Sequence, residues 1–248
     1  MYYQTHGQGP DLLLLHSGGM AGEEWAPQIP ILQKRFRLIV PDLPGHGRSP
    51  LADDTLTIAT MGNAVLALLD ALGIDSLHIC GSSMGGAVAL WLTVHHPARV
   101  KSAVIYRMVY RKNVSTYAQT LSMAEPAYWE QYGLHKWLSK LHEPQGGADA
   151  WKRVIARVSE ALDPQTSDHG YALETLTRIT QPILLITGDR DPVAPLEDAL
   201  AMYRAIPDAG LWIIPNASHI TGSNTWRAAA FAEEIKRFIS KQGEHQKP

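Results

Sequence analysis

The sequence predicts an α/β fold in which a mostly parallel central sheet is covered by helices on both faces. Short apolar segments recur along the chain, and each is followed by a glycine-rich or polar turn and then by a longer amphipathic segment. This alternation is typical of parallel strands joined by crossover helices. The strand segments are apolar throughout rather than alternating with polar residues, which indicates a sheet that is buried on both faces.

Six segments have the length and composition of buried strands. In chain order they are DLLLLHS, FRLIVPD, SLHICGS, VKSAVIY, PILLITGD and GLWIIPN. Between them, TIATMGNAVLALLDALG carries apolar residues at helical spacing and ends at Gly73, a typical helix cap. MGGAVALWLTVHHP has the same helical character and begins right after the second serine that follows HICG, so strand, sharp turn and helix succeed one another there.

The alternation stops between residues 107 and 171. Segments rich in tryptophan and tyrosine, which include Trp129 and Trp137, predict helices there without intervening strands. We therefore predict a core formed by residues 1–106 and 172–248 and a helical cap insertion formed by residues 107–171. Such an insertion would lie at the carboxyl ends of the strands, where open parallel sheets bind ligands.

The composition favours a soluble protein whose partner is a small molecule. The 248 residues carry a formal net charge of −2, which provides no basic field to attract nucleic acid or an anionic membrane. MYYQTHGQGP lacks the pattern of a leader and LLLLH is too short to span a bilayer, so we expect a cytoplasmic chain. The expected oligomeric state is a monomer or a homodimer. The single cysteine, Cys80, excludes an internal disulfide and a multi-cysteine zinc site.

The stretch HICGSSMGGAVAL contains the first candidate for chemistry. In the register that begins at Gly81 and ends at Gly85, Ser83 occupies the centre of G-x-S-x-G, whereas a motif centred on Ser82 would need glycine in place of Cys80. A nucleophile on a strained turn between strand and helix needs residues without bulk two positions before and two after it. Ser83 is therefore the candidate nucleophile.

A serine hydroxyl is a weak nucleophile and needs a base within hydrogen-bond reach. Of the eleven histidines, His219 follows the last strand segment on a short loop, from which its ring can reach the serine turn. His16, His46, His95 and His96 are interpreted as loop or capping residues.

A carboxylate must orient the base and stabilise its charged form. LLITGDRDPVAP offers Asp189 and Asp191 after a strand segment. Asp189 directly follows a glycine and is assigned to the turn. Asp191 lies further into a loop stiffened by proline, and we assign it as the acid.

Together these segments resemble the α/β-hydrolase superfamily over nearly the whole length of the chain. In that family the triad follows the order nucleophile, acid, histidine, as Ser83, Asp191 and His219 do here. Some members carry the acid after the strand that corresponds to VKSAVIY, but RMVYRK contains no carboxylate at that place. The family signature VPDLPGHGRS shapes a loop floor, which implies a structural role for Asp42.

The resemblance also implies an oxyanion hole formed by two backbone N–H groups. One belongs to Met84, directly after the nucleophile, and the other, by position in LLLLHSGGMAG, to Gly18. Members of the family usually have glycine after the histidine of this loop, and this chain has Ser17 instead. Ser17, Arg107, Trp129 and Trp137 are the residues expected to contact substrate.

The implied function is a serine hydrolase that acts on a small carboxylic ester or lactone through an acyl-enzyme intermediate, without a cofactor or a metal. GSSMGGAVAL also resembles the elbows of carbon–carbon bond hydrolases of ring fission and of lyases in menaquinone synthesis. Such relatives often bind acidic substrates through arginines of the cap, and Arg107, Arg111 and Lys112 lie where the insertion begins, although they could equally form a solvated basic turn. The carbon–carbon hydrolases frequently have a tryptophan shortly after the histidine, whereas here it is delayed to Trp226.

Two further alternatives use the same fold. A perhydrolase would need the same three residues. A ligand receptor would be favoured by the loss of a triad residue, and all three are present, so an enzyme is preferred. A scaffold protein has no feature in its favour.

Overall fold

The chain folds around a seven-stranded sheet with helices on both faces, which confirms the predicted fold class. The computed structural model describes residues 1–51, 55–111, 113–220, 223 and 227–244. The strands in chain order are β1 (Tyr3–His6), β2 (Asp11–Leu15), β3 (Arg37–Pro41), β4 (Leu77–Ser82), β5 (Val100–Tyr106), β6 (Ile183–Gly188) and β7 (Ala209–Ile214).

The strand order in the sheet is β1-β3-β2-β4-β5-β6-β7. β1 pairs antiparallel with β3, and all the other neighbours are parallel. β2 to β7 coincide with the six predicted strand segments. β1 has no counterpart among them because its sequence, YQTH, is polar and largely exposed at the sheet edge, so it forms no apolar segment.

The helices lie mainly between the strands. In chain order they are α1 (Ile29–Leu32), α2 (Ile58–Ala71), α3 (Met84–His95), α4 (Val114–Ala124), α5 (Pro126–Gln131), α6 (His135–His142), α7 (Ala150–Ala161), α8 (Leu173–Leu176), α9 (Leu196–Ala205) and α10 (Ala228–Glu244). The predicted helices correspond to α2, which is capped by the Thr57 side chain, and to α3. No helix in the described part of the chain is long and apolar enough to cross a membrane.

Side chains of β2 show why its sequence is apolar throughout. Leu13 and Leu15 pack on one face of the sheet with α2 and α3, while Leu12 and Leu14 pack on the other face with α1 and α10. All four side chains are fully buried. Because each such burial contributes about 1.5–3 kcal/mol, the strand is held in register from both faces.

Helices α4 to α8 occupy the segment between β5 and β6, and no strand is found among the described residues of that segment. Trp129, Leu138, Trp151 and Ile155 form a small core of their own, against which Met20 of the core loop after β2 packs. Near its end the segment is attached to helix α2 by Asp168, whose carboxylate accepts hydrogen bonds from two N–H groups at the start of that helix.

Three buried histidines lie side by side between the loops after β2 and β3 and the inserted helices. The ring centroids of His16 and His46 are 5.1 Å apart, and those of His46 and His142 are 6.0 Å apart. Burial lowers the pKa of all three rings, that of His142 to about 4. The rings are therefore neutral near neutral pH, and each can use one nitrogen as a hydrogen-bond acceptor.

His142 connects α6 to both loops. Its Nδ1 accepts a hydrogen bond of 3.1 Å from the N–H of Gly47, and its Nε2–H donates one of 2.9 Å to the carbonyl of Gly19. His46 accepts from the N–H of Gly19 at 3.2 Å. The inserted helices and the loop after β2 therefore hold each other in position through neutral histidines.

The neutral state of His142 predicts a defined pH dependence of stability. The pKa of the ring is 6.5 in a solvated histidine and about 4 in the folded protein, so between these values the unfolded chain binds more protons than the folded protein. The contribution of His142 to stability is therefore constant above this window and falls as the pH is lowered through it. His142→Gln should reduce the slope by up to about 1.4 kcal/mol per pH unit.

Chemical denaturation at several pH values measures this slope. His95→Gln, at the exposed end of α3, is the matched control and should retain the wild-type slope. Identical slopes for His142→Gln and the wild type would show that His142 is not held neutral.

Candidate active site

Ser83 is the single residue between the end of β4 and the start of α3, and its backbone conformation is strained. Its φ of 52° and ψ of −116° lie outside the regions that non-glycine residues normally adopt. Its N–H donates a hydrogen bond of 2.9 Å to the carbonyl of Tyr106 at the end of β5. Strain of this kind persists only where the surroundings enforce it, and it is concentrated at functional sites.

The two flanking glycines permit this turn. A Cβ atom on Gly81 would lie 2.2 Å from the carbonyl oxygen of Gly85, and a Cβ atom on Gly85 would lie 2.4 Å from the carbonyl oxygen of Leu15. Both distances are far below van der Waals contact. The G-x-S-x-G spacing therefore reflects two backbones that pass too closely for any side chain.

The structure brings Ser83, His219 and Asp191 into one hydrogen-bonded series. Ser83 Oγ lies 3.0 Å from His219 Nε2, and His219 Nδ1 lies 2.8 Å from Asp191 Oδ2. His219 comes from the loop after β7 and Asp191 from the loop after β6, so the carboxyl ends of three strands supply the three side chains. A base requires Nδ1 to carry the hydrogen and Nε2 to accept from the serine hydroxyl.

Asp191 is held as a carboxylate. Burial raises its pKa, but the neighbouring His219 and hydrogen bonds from the N–H groups of Val193 and Ala194 outweigh this effect, and the net shift is downward. Asp189 makes no contact with His219 among the described contacts. It accepts a hydrogen bond from the N–H of Ala217, which is the turn role expected for it.

The loop after β2 leaves one amide available to a ligand. The N–H of Ser17 donates to Glu24, that of Gly19 to His46, and that of Met20 to the carbonyl of Ser17. The N–H of Gly18 has no partner among the described residues. Met84 is the first residue of α3, so its N–H precedes the hydrogen-bond ladder of the helix.

Two cavity lobes meet at Ser83, with about 520 and 560 Å³ of empty space when the solvent-open mouth is included. One lobe has His219 and Gly18 at its wall, and its further lining is mostly apolar, with Met20, Met123, Trp129, Ile155 and Val158. The other lobe is also lined by apolar side chains, which include Met84 and Met108, but it carries more polar ones, with Arg111, Asn113, Tyr117 and His169. Most of this lining comes from the segment between β5 and β6, partly from its helices and partly from the non-helical residues at its two ends.

Arg107 corrects an expectation about substrate charge. It lines both lobes, but it is buried at the end of β5 and forms an ion pair of 2.5 Å with the buried Glu24. Arg111 forms an ion pair of 2.7 Å with Asp198. Arg107 is therefore neither a solvated residue of a basic turn nor an unpaired cation that could bind the carboxylate of a substrate. Lys112 lies outside the described residues.

The other expected substrate contacts divide into two groups. Ser17 and Trp129 line the lobe that contains His219. Trp137 does not line either lobe; it lies partly exposed in a separate groove beside Arg48. Leu138, the next residue of α6, packs in the small core of the insertion, and consecutive residues of a helix point about 100° apart, so Trp137 projects into the groove that Leu141 also lines.

The remaining candidates have structural surroundings. Asp42 accepts hydrogen bonds from the N–H groups of Gly22 and Arg48. Burial raises the pKa of the Cys80 thiol, which packs inside β4. Trp226 lies outside the described residues. No cluster of three or more metal-ligating side chains is found in the described ranges.

Glu24 is a residue of the site that sequence reasoning missed. It lies in the segment AGEEW, where two adjacent glutamates form no periodic pattern that would single out Glu24. Its contact with Arg107 joins residues 83 positions apart, so only the fold reveals it.

Comparison with known proteins agrees with this architecture. A family described as alpha/beta hydrolase fold matches residues 10–108, and one described as prolyl oligopeptidase family matches residues 62–245. The chain is 30% identical over 254 residues to a pimeloyl-[acyl-carrier protein] methyl ester esterase of Nitrosospira multiformis, covering 89% of this chain and 91% of that protein.

Two enol-lactonases are also similar. The chain is 29% identical over 258 residues to 3-oxoadipate enol-lactonase 1 of Acinetobacter baylyi, covering 93% of this chain and 88% of that protein. The crystal structure of the enol-lactonase from Burkholderia xenovorans superposes with a TM-score of 0.76 at 27% identity and covers 96% of each chain. The chain therefore belongs to the alpha/beta hydrolase superfamily and is a hydrolase.

Proposed function

We propose that the protein hydrolyses a small carboxylic ester or lactone through an acyl-enzyme intermediate on Ser83. The observation that carries this proposal is the unbroken hydrogen-bond series from Ser83 through His219 to Asp191, which opens onto a two-lobed cavity. The similarity to enol-lactonases and to a methyl ester esterase supports an ester or lactone as the substrate.

In the proposed mechanism Ser83 Oγ attacks the carbonyl carbon while His219 Nε2 accepts the hydroxyl proton. The bond to the leaving oxygen then breaks as His219 returns this proton to it. Water, deprotonated by His219, then attacks the acyl carbon. The bond to Ser83 Oγ breaks as His219 returns the proton to this oxygen, which releases the acid and restores the free enzyme. Asp191 keeps the imidazole in the required tautomer and stabilises its charged form.

The amides of Gly18 and Met84 are the proposed oxyanion hole. The N–H of Gly18, which has no partner among the described residues, borders the same cavity as Ser83. The N–H of Met84 lies at the positive end of the α3 dipole. Two such donors stabilise the negative oxygen that develops in each tetrahedral intermediate.

The helical segment 107–171 is the proposed cap of this site. A Cβ atom on Gly18 would lie 2.4 Å from a methyl carbon of Val158 on α7, so this helix packs directly over the loop after β2, which we call the oxyanion loop. Exclusion of bulk water by these helices would strengthen the electrostatic interactions in the cavity.

The alternative is a carbon–carbon bond hydrolase or lyase that binds an acidic substrate through cap arginines. Both Arg107 and Arg111 are already paired with carboxylates, which neutralise their charges. This pairing favours the ester or lactone proposal.

The two lobes also suggest how an ester is oriented. The leaving oxygen must lie near His219 Nε2 to receive its proton, and only the apolar lobe has His219 at its wall. We therefore assign the alcohol part of the substrate to the apolar lobe and the acyl part to the lobe that contains Asn113 and Tyr117.

Replacement of the triad residues tests the nucleophile. Ser83→Ala and Asp191→Asn should each lower kcat for p-nitrophenyl acetate by at least about 10⁴-fold, because the first removes the nucleophile and the second disturbs the histidine tautomer. Labelling by a fluorophosphonate should disappear in Ser83→Ala.

Two serine variants serve as controls. Ser82→Ala keeps the Ser83 hydroxyl and should retain the label, while Ser240→Ala on α10, away from the cavity, should retain both label and turnover. If the label were retained in Ser83→Ala and lost in Ser82→Ala, the nucleophile would be Ser82 and the proposed assignment would be wrong.

Isomeric esters test the assignment of the lobes. Benzyl acetate places an aromatic ring in the alcohol and methyl phenylacetate places it in the acyl group, so kcat/KM should be about tenfold higher for benzyl acetate, the range of one hydrophobic contact. Ile155→Ala, which removes apolar surface from the alcohol lobe, should reduce this preference. A preference for methyl phenylacetate would reverse the assignment.

A further inference from the structure

We propose that the buried ion pair of Glu24 and Arg107 positions the oxyanion hole by fixing the loop after β2 against the nucleophile turn. We call Glu24, Arg107, Ser17 and Ser82 the oxyanion clamp. The inference rests on the proposed function. It goes beyond it because it assigns a role in the reaction to two charged residues that touch neither the nucleophile nor its base in the described contacts.

The clamp joins the carboxyl ends of three neighbouring strands. Ser17 follows β2, Ser82 ends β4 and Arg107 follows β5, and these strands are adjacent in the sheet. Glu24 reaches the group from the short 3₁₀ turn Gly22–Trp25. All four residues are buried, each with at most 6% of its surface exposed.

Glu24 holds the oxyanion loop directly. Its Oε2 accepts a hydrogen bond of 2.6 Å from the N–H of Ser17, and its Oε1 lies 2.8 Å from the Ser17 hydroxyl. Hydrogen bonds that a carboxylate accepts are short and strong, so this contact fixes the peptide that precedes the Gly18 amide.

Arg107 ties the same carboxylate to the nucleophile turn. Its Nη2 donates to Glu24 Oε1 at 2.5 Å and to Ser17 Oγ at 2.8 Å, while its Nε donates to Ser82 Oγ at 2.9 Å. Ser82 is the residue directly before the proposed nucleophile. One planar guanidinium therefore spans from the oxyanion loop to the nucleophile turn.

The backbone at Arg107 is strained in a way that serves this contact. Its φ of 46° lies in the left-handed region, which is uncommon for a residue other than glycine. Its N–H donates to the carbonyl of Ile186 at 2.8 Å, and the preceding carbonyl, that of Tyr106, accepts from the N–H of Ser83. The strained backbone at Tyr106 and Arg107 therefore directs the guanidinium inward, and its Tyr106 carbonyl also anchors the N–H of Ser83.

Positioning explains the pair better than stability does. A buried ion pair is often no more stabilising than apolar side chains of similar volume, because desolvation of both charges offsets their attraction. Here the pair instead determines where the Gly18 amide lies, and the other side of the loop is fixed by the bonds of Gly19 to His46 and His142. An amide fixed on both sides costs little reorganisation when the oxyanion forms.

Glu24→Gln tests the clamp, since the amide NH₂ would oppose a donor of Ser17 or Arg107. The expected result is a fall in kcat for p-nitrophenyl acetate of about 10²-fold, typical of a misplaced oxyanion donor, with KM changed less than about threefold. The affinity for phenylboronic acid, which forms a tetrahedral adduct with an active serine, should fall in parallel. A residue that only stabilises the fold would change the melting temperature without this pattern.

Asp198→Asn is the matched control. Asp198 is also a buried carboxylate paired with an arginine at the cavity, but it has no contact with the oxyanion loop among the described contacts. This variant should retain kcat and boronate affinity. Equal losses in Glu24→Gln and Asp198→Asn, or no loss in either, would overturn the proposal.

Ser17→Ala keeps the proposal testable if Glu24→Gln does not fold, because it removes hydroxyl contacts without leaving a charge unpaired. It should show the same pattern with a loss of at least about tenfold in kcat, the value of one hydrogen bond to a charged group. Retention of wild-type kcat and boronate affinity would contradict the clamp. If the wild type itself neither hydrolyses the ester nor binds the boronate, the proposed function fails, and the clamp falls with it.

Discussion

The close approach of two backbones at the turn between β4 and α3 is the constraint on which the rest of the site depends. Because neither Gly81 nor Gly85 leaves room for a Cβ atom, the chain can reverse tightly and hold Ser83 at a positive φ. The turn places Ser83 at the end of the central strand, within 3.0 Å of His219. It also places the first amide of α3 beside Ser83, so one backbone feature supplies both the proposed nucleophile and a proposed oxyanion donor.

Around this turn, buried polar groups are fixed by hydrogen bonds rather than by solvent. Asp191 is kept ionised by His219 and two backbone amides. Glu24 and Arg107 neutralise each other, and His142 is neutral through burial. Each arrangement satisfies the buried group and also fixes a loop, so polar groups that add little net stability give the cavity its geometry.

The sequence was sufficient for the sheet because buried parallel strands are apolar throughout, and only the polar edge strand β1 lacked that signal. Ser83, Asp191 and His219 could be predicted because each follows a recognisable strand. Residues whose roles depend on contacts between distant segments could not be predicted. Glu24 is one of these, and Trp137 is another, because the direction in which α6 packs was needed to show that its ring lies outside the cavity.

The measurement that tests the central claim most directly is mass spectrometry of the protein quenched in acid during turnover of p-nitrophenyl acetate. If Ser83 is the nucleophile, the protein should gain the mass of one acetyl group, and peptide mapping should locate it on Ser83. An adduct on another residue, or hydrolysis that is fully retained in Ser83→Ala, would contradict an acyl-enzyme on Ser83.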